Sequence, residues 1–154
     1  MTEASGGATG SDDQGRYDEL TTGMAGLLAA AAPDGWRRID LRALMTVAVS
    51  DLALTVVLQD GSTPAVELPR DVIDLAAELR STMYRQSRGA WLSMRLMMEP
   101  PGAYYTSFNT DYDPLWDPDI PDEAYEQDLA AFPRDDQYVP DWLRTRLQRA
   151  PAPA

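Results

Sequence analysis

The alternation between residues 36 and 58 constrains this chain most. Ile39, Leu41, Ala43, Met45, Val47 and Val49 occupy every second position, with Arg38, Asp40, Arg42, Thr46 and Ser50 between them, and Leu52, Leu54, Val56 and Leu58 carry the same period onward. Side chains along a strand point alternately to opposite faces, so a period of two predicts strands with one buried and one wet face. A reversal near Ser50 and Asp51 makes an antiparallel hairpin of them, and Asp60-Gly61 supplies the next turn before a third strand at Val66 to Leu68. The first half therefore predicts a meander.

On either side the period changes. Over residues 16–32, Tyr17, Leu20, Met24, Leu27, Leu28 and Ala31 recur at helical spacing until Pro33-Asp34-Gly35 stops the run. Residues 69–86 return to that spacing through Val72, Ala76, Leu79 and Met83, with Asp71 and Asp74 early and Arg80 and Arg85 late, as the helix dipole favours. A strand at 91–99 has Leu92, Met94, Leu96 and Met98 on one face, and Pro100-Pro101-Gly102 turns it into a partner at 103–109. Pro121 opens a short helix carrying Tyr125 and Leu129, and a last helical piece covers 140–149. The expectation is one α+β domain at residues 16–149, an antiparallel β-sheet meander packed with helices. Disordered tails are expected at 1–15, which is acidic and glycine-rich, and at 150–154.

Composition narrows the chemistry. Histidine and cysteine are both absent, which removes zinc sites, thiol nucleophiles, Ser-His-Asp triads and disulfides. The glycines at 6, 7 and 10 lie in a polar segment and not after a strand, and neither a dinucleotide fingerprint nor a phosphate loop occurs. The expectation is no enzyme, no cofactor and no metal. With 25 acidic residues against 13 basic ones and a net charge of −12, nucleic acid and anionic membranes are disfavoured partners, and a cationic protein is favoured. The first 15 residues carry neither a basic n-region nor an apolar h-region, and no apolar run reaches about 18 residues, so a cytoplasmic location is expected.

The charge is also local. Eleven of the 25 acids fall in residues 109–142, where Arg134 is the one basic residue. Interleaved with them are Tyr112, Trp116, Tyr125, Phe132, Tyr138 and Trp142. Two fates are open to such rings: anchors of an interface, or core residues folded back on the sheet with only the acids outside. Acids at 111, 113, 117 and 119 imitate a calcium loop, but Leu115 and Trp116 stand where a ligand and a glycine are required. Arg37, Arg38 and Arg42 form a wet strand face, and Met94, Met97 and Met98 read as adaptable core packing.

The segments Gly89-Ala90-Trp91-Leu92-Ser93-Met94-Arg95-Leu96, Pro100-Pro101-Gly102 and Tyr104-Tyr105-Thr106-Ser107-Phe108-Asn109-Thr110-Asp111 resemble the YezG-like immunity proteins. Trp116-Asp117-Pro118, Ala131-Phe132-Pro133-Arg134-Asp135 and Val139-Pro140-Asp141-Trp142-Leu143 extend the likeness to actinobacterial members, over residues 16–145 in element order. The resemblance implies a small cytoplasmic α+β antitoxin. It would bind and neutralise a cognate polymorphic toxin domain, a nuclease or an NAD-consuming enzyme, by blocking its active site without catalysis. With the charge map, it places the partner-binding surface on Asp111, Tyr112, Asp113, Trp116, Asp117 and Asp119, continued by Glu123, Glu126, Asp135 and Asp136, with Trp116 as anchor and Tyr112 beside it. The alternative is a non-enzymatic adaptor or regulatory module that binds a basic protein.

Overall fold

The computed structural model describes residues 2–149, with side chains from residue 13 onward; the expected tail at 150–154 lies outside the described residues. The chain is α+β, with one four-stranded antiparallel sheet and helices packed against it. The elements in order are α1 (Thr2–Ala31), β1 (Trp36–Met45), β2 (Ser50–Leu58), α2 (Arg70–Met83), β3 (Ser93–Glu99), β4 (Ala103–Asn109), α3 (Asp122–Ala131), a 3-10 turn (Asp136–Tyr138) and α4 (Asp141–Arg149). No helix among the described residues is long and apolar enough to cross a membrane.

The sheet order is β2-β1-β3-β4, two hairpins side by side with β1 next to β3. A simple meander continues from β2 to a neighbouring strand at Val66 to Leu68, and that strand does not form. Pro64 and Pro69 bracket those residues, and neither contributes the N–H that a ladder needs. The first hairpin also reverses earlier than the alternation predicts, at residues 46–49. There the Thr46 hydroxyl accepts the N–H groups of Ala48 (3.2 Å) and Val49 (3.0 Å), and the buried Asp128 carboxylate accepts that of Val47 (2.8 Å). Side-chain oxygens thus replace ladder partners over the turn.

A second correction concerns the N-terminus. The helix begins at Thr2, so residues 2–15, expected to be disordered, continue α1. Apolar spacing marks only the part of a helix that packs, whereas elongation from a packed nucleus adds one hydrogen bond per residue.

Packing distinguishes two compact units within this fold. The first comprises, of the described residues, 2–40, Leu54–Met83 and Met97–Tyr104. Its core is made by Leu20, Met24 and Leu28 of α1, Val72, Ala76 and Leu79 of α2, and Ile39, Val56 and Met98 from the strands. The Tyr104 hydroxyl lies 2.9 Å from that of the buried Thr21, which also donates to the Tyr17 carbonyl.

The second unit comprises Leu41–Ala53, Tyr84–Leu96 and, of the described residues, 105–149. Its core gathers Leu92, Trp116, Ile120, Ala124, Tyr125 and Leu143, with Leu129, Trp142 and Leu147 packed on the rim. Tyr125 meets Trp142 edge-on, with ring centroids 5.5 Å apart. All ten residues of the expected partner-binding surface belong to this unit.

Candidate protein-binding site

The loop that follows β4 is built from Asn109. Its amide donates to the Ser93 hydroxyl (3.2 Å) and the Tyr112 carbonyl (2.9 Å), and its carbonyl oxygen accepts the Tyr112 N–H (2.9 Å). Trp142 donates its indole N–H to the Asp111 carbonyl at 2.8 Å. The root of the loop is thereby clamped to β3 and α4.

A second clamp comes from Arg134, the lone basic residue of the acid-rich stretch. Its side chain is 2% exposed. The guanidinium donates to the carbonyls of Ala90 (3.3 Å), Thr110 and Tyr138 (3.1 Å), and reaches the Asp111 carboxylate at 3.5 Å. Gly89 makes room for it: φ is +106°, and a β-carbon there would lie 2.8 Å from Cζ of Arg134.

Beyond the root, chain direction decides what is shown. Tyr112 is 79% exposed and Leu115 77% exposed. Leu115 has φ +58°, a left-handed conformation that ordinary side chains occupy rarely, and the Asp113 carboxylate accepts its N–H at 3.0 Å. Trp116 then turns inward. At 8% exposed and packed with Ile120, Tyr125 and Leu143, it is a core residue, which corrects its expected role as interface anchor. No normal hydrogen bond reaches its indole N–H or the Tyr125 hydroxyl. Burial first, and then the negative charge of Asp113 and Asp119, push the Tyr125 hydroxyl up to about 12 against the pull of Arg146.

The acids divide into two sets. In the first, α4 neutralises carboxylates that precede it. Arg146, with its side chain 11% exposed, binds Asp119 (3.1 Å), Asp122 and the Ile120 carbonyl, and lies 5.0 Å over the Tyr125 ring. Arg149 also binds Asp122 (3.0 Å) and holds its carboxyl below the ordinary aspartate range, with Arg146 assisting against partial burial. Burial opposes the charge on Arg146, but its bonds to Asp119 and Asp122 outweigh this and raise its pKa. Arg144 takes Asp136 at 2.7 Å, and Asp111 faces Arg134.

In the second set, Asp117, Glu123 and Asp135 are exposed and Glu126 is half-buried, and none of them forms an ion pair among the described residues. Asp113 is occupied by a backbone N–H alone, so its charge is not cancelled. The calcium-like spacing is dispersed, because Asp111, Asp113 and Asp119 turn to three different partners. Among the described residues no group of three acids is gathered as a metal site.

The sequence pattern missed Leu115, which carried no signal, and the structural roles of Arg134 and Arg146. For Arg134 a signal existed: one arginine among eleven acids, set two residues before a tyrosine-bearing turn. No protein-family model and no curated protein sequence matches the chain.

Proposed function

We propose that this chain is a cytoplasmic immunity protein of the YezG-like kind, which binds a cognate toxin domain and blocks its active site without performing catalysis. One observation carries the proposal. A loop clamped at its root presents Tyr112 and Leu115 to solvent beside the uncancelled charges of Asp113 and Asp117. Large apolar anchors held rigidly lose little entropy on binding, and unpaired carboxylates around them accelerate association with a basic cleft. A nuclease groove or the cleft of an NAD-consuming enzyme has that character, since both accept phosphates.

The internal ion pairs refine the contact surface. Asp119, Asp136 and Asp111 are spent within the chain, which leaves Asp113, Asp117, Glu123, Glu126 and Asp135 as the steering charges.

The test pairs Tyr112→Ala/Leu115→Ala with Asp113→Asn/Asp117→Arg, each co-expressed with the variable C-terminal domain of a large secreted protein encoded beside this chain. Both variants should keep the wild-type circular dichroism. The first should dissociate faster from that domain, the second should associate more slowly, and protection should fall in both. Full protection by both variants overturns the proposal, as does recovery of an intracellular basic protein as the stoichiometric partner, the outcome an adaptor would give.

A further inference from the structure

A cleft of about 440 Å³ opens on the second unit. Three adjacent strands line it, with Arg42 and Leu44 from β1, Ser93 and Arg95 from β3 and Ser107 from β4, and Pro114 of the following loop borders it. Alternation puts these strand side chains on one face. Burial of Leu41, Ala43 and Met45 turns Arg42 and Leu44 to the other side of β1, burial of Met94 and Leu96 does the same for Ser93 and Arg95, and Ser107 is exposed between two half-buried neighbours.

The two arginines of the cleft differ in what they have left to offer. Arg95 is already engaged within the chain, whereas Arg42 is exposed and forms neither a hydrogen bond nor an ion pair among the described residues. The cleft therefore holds one uncommitted positive charge. A hydroxyl lies close to it. The Met45 N–H donates to the Leu92 carbonyl (3.0 Å), and donor and acceptor residues of an antiparallel pair lie opposite each other, so Leu44 faces Ser93 and Arg42 is the diagonal neighbour of Ser93, within reach of a long side chain. Ser93 accepts the Asn109 amide (3.2 Å) and keeps its own O–H to donate. Beside this donor pair stand the half-buried Leu44 and the ring of Pro114, both apolar.

We propose that this cleft binds a small monocarboxylate with an apolar body, its carboxylate held by the Arg42 guanidinium and the Ser93 hydroxyl and its body lying against Leu44 and Pro114. A guanidinium fork matches a carboxylate bidentately, and the charge-assisted bonds it makes are the strong ones. One free cation suits one anionic charge. The second charge of a phosphate finds no second free guanidinium, and Asp113, next to Pro114, carries a charge that no basic residue cancels. The cleft lies within the size range of small-ligand sites, which combine apolar walls with a few placed polar groups. The site is independent of toxin binding and can be tested on the chain alone.

The experiment titrates the full chain with 4-methylpentanoate at neutral pH and constant ionic strength, followed by calorimetry and by backbone amide and arginine side-chain NMR signals. 4-Methylpentanamide supplies the same body without the charge, and inorganic phosphate supplies charge without the body. Saturation below about 10 mM is expected for the carboxylate, with shifts centred on residues 42, 44 and 93, and binding at least about tenfold weaker for the amide and for phosphate. Arg42→Gln should weaken the carboxylate at least about tenfold, and Ser107→Glu, which adds a negative charge to the same face, should weaken it as well. Both positions are exposed, so both variants should keep the wild-type amide fingerprint. The proposal is overturned by an absence of saturation, by the amide or phosphate binding as tightly as the carboxylate, or by wild-type affinity in either variant.

Discussion

Replacing Gly89 by alanine should be among the most damaging single changes in the second unit, although it adds one methyl group. The new β-carbon would lie 2.8 Å from Cζ and 3.0 Å from Cγ of Arg134, and closer still to Nε. Arg134 cannot yield by a small rotation, because its guanidinium is held by three carbonyls and its side chain is 2% exposed. Displacing it forfeits hydrogen bonds from a charged donor worth about 1.5–3 kcal/mol each, and the left-handed backbone adds about 1–2 kcal/mol for any residue with a β-carbon. Since part of the network can rearrange, about 3–5 kcal/mol is expected, a large share of the roughly 5–15 kcal/mol that holds a domain together.

Gly35 is the control. It also has a positive φ, +85°, but a β-carbon there meets nothing within 4 Å, so Gly35→Ala should cost only the backbone strain of about 1–2 kcal/mol. Urea unfolding followed by tryptophan fluorescence measures both. Losses for the two variants that agree within about 0.5 kcal/mol would refute the assignment of Arg134 as an inflexible clamp.

Trp116→Ala should destabilise by about 3–5 kcal/mol, whereas Tyr112→Ala should stay within about 0.5 kcal/mol of the wild type in the same unfolding assay; comparable losses would contradict the inward and outward placement of the two rings. The pKa of Asp122 is depressed in the folded chain, first by Arg149, so its stabilising contribution is complete above the ordinary aspartate value of about 3.9 and fades as pH falls through the lower folded value. Asp122→Asn should therefore lower the melting temperature at neutral pH and flatten its decline below about pH 4, and a parallel decline in both proteins would exclude this linkage.

Much of the architecture was legible along the chain because burial imposes a period. β4 at Ala103–Asn109 coincides with the expected strand, and α3 and α4 start within a residue of the positions that Pro121 and Pro140 suggest. The errors cluster where distant groups replace local partners. Asp128 and Thr46 turn the first hairpin four residues ahead of Ser50-Asp51, and β1 pairs with β3 where the sequence order suggested a continuing meander.

The acid-rich stretch shows the same division more sharply. Its charge, and the presence of rings within it, follow from residue types and are complete in the sequence. Whether a ring faces core or solvent depends on chain direction within a loop that has no period, and so Trp116 went inward while Tyr112 and Leu115 stayed out. Likewise, which carboxylates remain available depends on where α4 brings Arg144, Arg146 and Arg149, residues up to 27 positions away from the acids they bind. Composition determined how much negative charge this protein carries. Only tertiary packing decided which part of it is cancelled inside the fold, because Coulombic pairing depends on distance in space and not along the chain.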